Sequence, residues 1–238
     1  MMDLKIKDVA DLLNVSESTI RRWISDGKIP TYRINQHNFF SRCEIENWVI
    51  THKLKKTTEE ISPFTHHKET ESLMIPRSPT TSGNKKFSLF RAIHKGEVIH
   101  SINGKTKEEI IRQTMHRAAK LLHIDADVMT DLLLDRENLM PTALNHGIAV
   151  PHTRDSLLNG HHDVVIVVFL DTPLEYGALD GQPVHTLFFL FACEDKRHLH
   201  LLAKIAHLSN QPHLREFFQT HPSKEQLLSL IKEWEAQI

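Results

Sequence analysis

The residue with the clearest chemical potential is His152, which follows an apolar run from Ile148 to Val150 and a proline. A β-branched run that stops at Pro151 predicts a strand that ends there, because proline has no amide hydrogen for a sheet ladder. The imidazole then projects from the end of a rigid element, where functional side chains are often positioned. It can act there as a base, a metal ligand or a nucleophile. Spacing alone does not choose among these three roles.

The sequence contains 18 histidines, and they are scattered along the chain and form no tract. His200 and His207 recur at helical spacing, which is typical of surface or boundary positions. A zinc site made from His146, His152 and His198 is conceivable from ligand type alone. We nevertheless expect no metal and no cofactor.

Strands and helices must alternate around His152 to position it. A short strand is expected first, then a long amphipathic helix from Lys107 to Leu122 and a second helix that ends near Arg136. Three apolar strands and two closing helical stretches follow. The pattern predicts an α/β sandwich in which helices flank a mixed sheet. The three strand-like runs are GIAVPH, HHDVVIVVFLD and VHTLFFLFACE.

The composition is that of an ordinary folded protein, with 40% hydrophobic and 25% charged residues. No apolar run approaches the ~20 residues that a membrane-spanning helix needs. The first residues lack the basic-then-apolar pattern of a signal peptide, so no membrane insertion and a cytoplasmic location are expected. Cys43 and Cys193 lie far apart, so neither a disulfide framework nor a zinc finger is expected.

Charge and composition divide the chain into three parts. Residues 1–56, the head, carry a net charge of +3, and residues 87–238, the body, carry −4. Residues 57–86 have no net charge and are rich in Ser, Thr, Pro and charged residues. Such a segment buries too little apolar surface to offset the entropy of ordering, which predicts a flexible linker. A basic head on an acidic body fits a nucleic-acid-binding arm attached to a second domain.

The head has the pattern of two short helices joined by a tight turn. Apolar residues repeat at helical spacing from Ile6 to Leu13, Ser16 is a good N-cap for the next helix, and Gly27 favours a stop. A helix-turn-helix presents its second helix to the major groove of DNA. The residues expected to contact DNA from this helix are Ser16, Ser18, Thr19, Arg21 and Arg22.

The head resembles the excisionase family of MerR-type winged helix-turn-helix domains. The motifs VS.ST..RWI..G.IP..RI and R..IE.W carry the resemblance between Ile6 and Trp48. They imply a small, mostly α domain with a reading helix at Ser16–Ser25 and a wing at Arg33–Phe40. The wing tip reads NQHN. The wing residues that the resemblance places against DNA are Arg33, Gln36 and His37.

The body resembles the enzyme IIA domain of the fructose–mannitol class of the bacterial phosphotransferase system, and its nitrogen-regulatory branch in particular. The resemblance covers nearly all of residues 87–236. It rests on four motifs in order: LLDREN, GIAVPH, LDTPLEYGALDGQPVHTLFFLFA and HLHLLAKIA.

That resemblance implies roles for four residues, and one further residue is particular to this chain. His152 is the phosphorylated histidine, and His198 is the second active-site histidine. Arg136 matches a family arginine, and Thr142 matches a family hydroxyl that orients an imidazole or the phosphate. Arg154 is particular to this chain. Either Arg136 or Arg154 would offset the negative charge of the phosphoryl group if it lies within reach.

Two positions depart from the family pattern. Thr153 stands where a glycine usually follows the histidine, and a side chain there restricts the approach of a phosphocarrier protein. His146 stands near the site, where the family usually has an asparagine.

The sequence therefore predicts a DNA-binding regulator whose body accepts a phosphoryl group on His152 from a histidine-containing phosphocarrier protein. A homodimer is expected, because one head of this size binds DNA weakly. Two alternatives stay open. One is an active phosphocarrier that relays phosphate to a sugar-transporter component, and the other is a protein-binding regulator that is never phosphorylated.

Overall fold

The computed structural model describes residues 4–34, 37–54, 88–153, 162–178 and 180–237. The chain divides into two compact units, residues 1–86 and 87–238. Gln36, Arg154 and the expected linker at 57–86 lie outside the described residues.

The first unit contains a helix-turn-helix beside a small sheet. Ser16 caps the second helix by accepting from the Thr19 amide, while Asn14 (φ 56°) and Gly27 (φ 62°) adopt the left-handed conformation that ends helices. The sheet is antiparallel, with the order β1–β3–β2. Its elements are β1 (Leu4–Lys5), α1 (Ile6–Leu13), α2 (Glu17–Ser25), β2 (Tyr32–Ile34), β3 (His37–Phe40) and α3 (Arg42–Leu54).

The helix pair and the wing agree with the sequence pattern, whereas β1 was not predicted. That strand is two residues long and pairs with the wing strand β3 at Leu4–Phe40 and Lys5–Phe39. Its formation depends on a partner more than thirty residues away, so local periodicity carries no signal for it. The buried side chains of Ile20 and Trp23 lie on the inner face of α2, as their spacing predicts.

The second unit is an α/β fold around a four-stranded mixed sheet, as expected. The strand order is β4–β6–β7–β5, and β6 and β7 are antiparallel while the two outer strands run parallel to their neighbours. Its elements are α4 (Ser88–Lys95), β4 (Val98–Ile102), α5 (Lys107–Leu122), α6 (Ala126–Leu139), β5 (Ile148–Ala149), β6 (Val164–Leu174), β7 (Val184–Phe191), α7 (Asp195–Ser209), α8 (Pro212–Gln219) and α9 (Lys224–Gln237).

Helices cover both faces of this sheet. Ile166 and Val168 of β6 pack into one core with residues of α5 and α6, whereas Phe188 of β7 meets the ring of Phe218 in α8 at 5.6 Å between centroids. Burial on both faces explains why the sequences of β6 and β7 are apolar runs and do not alternate.

Two helices of the body were not predicted from the sequence. A short strand was expected at the start of the body, but α4 precedes β4 there, and α8 lies between the two predicted closing helices. Both helices have only eight residues. Short helices are marginal by themselves and depend on tertiary contacts, which a sequence pattern does not reveal.

Candidate functional site

The backbone of His152 is fixed against the central sheet. β5 pairs in parallel with β7 at Ile148–Thr186, and a further bridge joins His152 to Leu190. The Leu190 amide also donates to the carbonyl of Pro151 at 2.9 Å. The strand therefore continues past its two-residue core, and His152 is held beside a buried strand.

One hydrogen bond defines which nitrogen of His152 carries the proton in the neutral ring. Its Nδ1 lies 2.7 Å from the carbonyl oxygen of Val150. A carbonyl only accepts, so Nδ1 carries the proton of this bond, and in the neutral ring Nε2 keeps its lone pair. The nucleophilic atom of neutral His152 is therefore Nε2.

The two predicted histidines lie side by side. His198 is in the first turn of α7, and its ring centroid is 4.9 Å from that of His152, with an edge-on angle of 62° between the planes. The His198 amide donates to the carbonyl of Glu194, the N-cap residue. The structure thus brings together two imidazoles that are 46 positions apart in the sequence.

A buried carboxylate that the sequence analysis missed holds the start of α7. Asp163, just before β6, accepts from the amide of Cys193 at 3.1 Å and from Nε of Arg197 at 2.7 Å. Because Arg197 directly precedes His198, this clamp fixes the turn of helix that carries the second imidazole. The sequence signal for this clamp was limited to the arginine that directly precedes His198.

The segment before β5 is tied to the end of α6. Nη1 of Arg136 donates to the carbonyl of Met140 at 3.0 Å. The hydroxyl of Thr142 donates to the carboxylate of Glu137 at 2.6 Å, and the Thr142 amide donates to the same carboxylate at 3.1 Å. Thr142 is thus directed at a carboxylate, and any effect on the imidazole is indirect.

Glu137 was not predicted as a site residue, although it belongs to the quoted LLDREN motif and follows Arg136. It is only 2% exposed. Nζ of Lys107 lies 3.5 Å from its carboxylate and 5.4 Å from the centroid of the Tyr176 ring. Burial, and then the negative charge of Glu137, raise the pKa of Tyr176 well above its ordinary value.

His146 lies at the other end of β5 from His152. It borders a cavity of about 650 Å³ together with Asp180, His185 and Arg215. Burial, and then the charge of Arg215, lower the pKa of His146. The carboxylate of Asp180 accepts from the backbone amide of His146 at 2.6 Å. The histidine that departs from the family pattern therefore borders this cavity.

Burial also lowers the pKa of His185, and the charge of His221 adds to that shift. Gly147 makes the close approach of His185 possible. A Cβ atom on this glycine would lie 2.5 Å from the His185 ring, and its φ of 74° is left-handed. The close contact with His185 and the positive φ therefore both favour glycine at the position before β5.

In the head, the predicted contact residues lie at the N-cap and in the first two turns of α2, and all but the half-buried Thr19 are exposed. Ser16 Oγ lies 2.7 Å from Ser18 Oγ and 2.8 Å from Thr19 Oγ1. Arg21 pairs with Glu17 at 3.4 Å, and 65% of its side chain is exposed. An exposed pair of this kind is worth little, so the guanidinium can exchange it for another anion.

Three further residues that were predicted to contact DNA are exposed in the head. Arg22 is exposed one position after Arg21, and Arg33 and His37 are exposed on the two wing strands, where they flank the wing tip. Arg33 pairs across the hairpin with Asn38. Donor side chains thus lie on both the helix and the wing.

Each of the two units matches a model of a known protein family. Residues 91–234 match the family model described as "Phosphoenolpyruvate-dependent sugar phosphotransferase system, EIIA 2". Residues 4–52 match a model described as "Helix-turn-helix domain".

Similar whole proteins point to a nitrogen-regulatory branch. The chain is 32% identical over 146 residues to a nitrogen regulatory protein of Pseudomonas aeruginosa, which covers 60% of this chain and 94% of that protein. It is 32% identical over 142 residues to a nitrogen regulatory protein of Escherichia coli, with 58% and 83% covered.

A solved structure supports the fold of the body. The crystal structure of nitrogen regulatory protein IIA-Ntr from Neisseria meningitidis superposes with a TM-score of 0.52 at 23% identity, over 58% of this chain and 93% of that one. In the part of the chain that the structure describes, no helix is both long enough and apolar enough to cross a membrane.

Proposed function

Because the chain belongs to the enzyme IIA type 2 family of the phosphoenolpyruvate-dependent sugar phosphotransferase system and carries a helix-turn-helix domain in front, we propose that it is a phosphorylation-responsive DNA-binding regulator. A histidine-containing phosphocarrier protein donates a phosphoryl group to His152. The head binds DNA, and the phosphorylation state of the body modulates that binding or the binding of a partner protein.

The observation that carries this proposal is the pairing of a defined nucleophile with a second imidazole. Nε2 of neutral His152 holds the lone pair, and the ring of His198 lies beside it. Two imidazoles at this separation suit a phosphoryl group, whose oxygens accept hydrogen bonds from an N–H donor.

The proposed phosphoryl transfer needs no cofactor, because one N–P bond breaks as another forms. The lone pair on Nε2 attacks the phosphorus of the phosphocarrier's phosphohistidine, the N–P bond on the carrier breaks, and the carrier's imidazole leaves with those electrons. His152 keeps its proton on Nδ1, so its ring takes up positive charge as the new N–P bond forms. The carbonyl of Val150, 2.7 Å away, stabilises that charge.

The test is transfer of labelled phosphate from phosphoenolpyruvate through the upstream phosphocarrier proteins. We expect label on the wild-type chain and on a His162→Ala control, which changes an exposed histidine, but none on His152→Ala. Correlation of ³¹P with the ring protons would place the phosphorus on Nε2. Unlabelled wild-type protein would refute the proposal, and so would label that persists in His152→Ala.

The DNA-binding part of the proposal rests on the exposed side chains of α2 and the wing. Each phosphate that an arginine neutralises releases counterions, so affinity falls as salt rises. Arg21→Ala combined with Arg22→Ala is expected to weaken binding and to lower the slope of log affinity against log salt by about 2. Lys120→Ala, an exposed charge on the body, is the matched control and is expected to change neither.

The regulatory link is tested by measuring DNA affinity before and after phosphorylation. The phosphoryl group adds about two negative charges, and we expect the affinity of wild-type protein to change while that of His152→Ala does not. Because two half-sites need two heads, the DNA complex is expected to contain a homodimer, which sedimentation would detect. No DNA binding even at low salt would leave only a role as a phosphocarrier or as a protein-binding regulator.

A further inference from the structure

Glu137 lies near the end of α6, at the start of the segment that leads to His152. Its carboxylate accepts from both polar groups of Thr142, the amide at 3.1 Å and the hydroxyl at 2.6 Å. Lys107, at 3.5 Å, supplies a compensating charge. A carboxylate that is 2% exposed and accepts several donors is strongly constrained in position.

The loop closes from Thr142 to Val150 by backbone hydrogen bonds. The Val150 amide donates to the carbonyl of Thr142 at 3.0 Å, and the Leu144 amide donates to the carbonyl of Ile148 at 2.7 Å. A bridge between residues 143 and 149 lies between these two bonds. Whatever fixes Thr142 therefore also fixes Val150.

Val150 in turn fixes the imidazole. Its carbonyl accepts from Nδ1 of His152 at 2.7 Å. A continuous set of short contacts thus runs from the carboxylate of Glu137 through Thr142 and Val150 to the ring that we propose to be phosphorylated. The two ends of this set are fifteen positions apart in the sequence.

We propose that Glu137 is a positioning residue for phosphoryl transfer to His152. This inference rests on the proposed function. Glu137 does not contact the reacting atoms; it holds the Val150 carbonyl where it keeps the proton on Nδ1 and stabilises the positive charge that the ring gains. If that carbonyl were displaced, the ring could adopt the other tautomer, in which Nε2 carries the proton and cannot attack.

The first variant is Glu137→Gln, which preserves shape but offers one acceptor oxygen where the carboxylate offers two. The matched control is Asp135→Asn, an exposed carboxylate two residues earlier in α6. For transfer from the phosphocarrier protein, we expect Glu137→Gln to lower kcat by about 10- to 100-fold with little change in KM. Asp135→Asn is expected to match wild type in both.

A second pair of variants separates positioning from stability. Thr142→Val removes the 2.6 Å hydroxyl contact and keeps the carboxylate, whereas Thr142→Ser restores the hydroxyl. We expect a lower kcat for Thr142→Val and recovery for Thr142→Ser. If Glu137→Gln does not fold, this pair decides the question.

A readout independent of transfer is the tautomer of His152, which ¹⁵N shifts of the ring nitrogens report. We expect wild-type protein to hold the Nδ1–H form and Glu137→Gln and Thr142→Val to populate the Nε2–H form. If wild-type protein is never phosphorylated, the proposed function fails, and the tautomer still tests Glu137. Wild-type rates and an unchanged tautomer in both variants would overturn the inference.

Discussion

Replacement of Glu235 by glutamine should loosen the first helix of the body. Its carboxylate, 0% exposed, accepts from the amides of Leu89 and Phe90 at 3.1 and 2.9 Å and from the ammonium of Lys204. The first amides of a helix have no partner within the helix. Glu235, near the end of α9, thus caps α4 across 146 positions of sequence.

The magnitude follows from the number of donors and their burial. Glutamine keeps one acceptor oxygen for three donors, so at least one hydrogen bond to a charged acceptor is lost, at about 1.5–3 kcal/mol. The charge that compensates Lys204, whose side chain is 11% exposed, is lost as well. Removal of one member of a buried pair typically costs about 3–5 kcal/mol, and we expect Glu235→Gln to fall in that range.

The assay is thermal unfolding of the full chain, together with amide hydrogen exchange. For a unit of this size each kcal/mol shifts Tm by about 2–4 °C, so the body should lose roughly 10 °C. The amides of Leu89 and Phe90 should lose protection before the sheet does. Glu233→Gln, an exposed glutamate on the same helix, is the control. A variant within about 1 kcal/mol of wild type would show that Glu235 does not hold α4.

Three further changes test other parts of the chain. Gly96→Ala should destabilise the body by about 3 kcal/mol or more, because its Cβ would lie 1.9 Å from the carbonyl oxygen of Val165, and urea unfolding would measure this. Ser16→Ala should cost the head about 1 kcal/mol through loss of the α2 cap, with the body transition unchanged in the same thermogram. Burial lowers the pKa of His185, so the unfolded state binds more protons below pH 6.5 and stability should fall on acidification. His185→Gln should flatten that dependence of the urea midpoint, and His213→Gln, at an exposed position, should not.

Periodicity predicted the elements that carry their own local signals. The helix from Lys107 to Leu122 has the predicted bounds, with a Thr106 side-chain cap at its start and a left-handed His123 (φ 53°) at its end. Its apolar stripe is long, so the helical period is distinct from its surroundings. The second helix of the head is similarly bounded by Ser16, the expected cap.

Two of the elements that the sequence did not predict depend on hydrogen bonds from distant residues. α4 is capped by Glu235 from the last helix, and β1 exists only as the partner of a wing strand. Neither partner is identifiable from a local pattern. Length explains α8 as well, because an eight-residue segment gives too few repeats to distinguish a helix from a loop.

The residues of the candidate site likewise divide into those that the sequence predicted and those that it did not. The order of the motifs predicted His152 and His198, and the structure places their rings together. It did not predict Glu137 or Asp163, the two buried carboxylates that support the segments carrying these rings. A buried and a solvent-exposed carboxylic acid are the same residue type in a sequence, so only the fold distinguishes them.

The choice of nucleophilic atom shows why this distinction matters for function. A histidine in the sequence offers two nitrogens, and the neighbour that selects between them is a backbone carbonyl, which every residue has. His152 turns back on the carbonyl of Val150, two residues earlier, with Nδ1. That carbonyl stays in place because Thr142 holds the Val150 amide and Glu137 holds Thr142. The proposed reactivity of His152 therefore depends on the segment from Glu137 to His152, and we expect variants at Glu137 to alter the chemistry at Nε2 without contacting that atom.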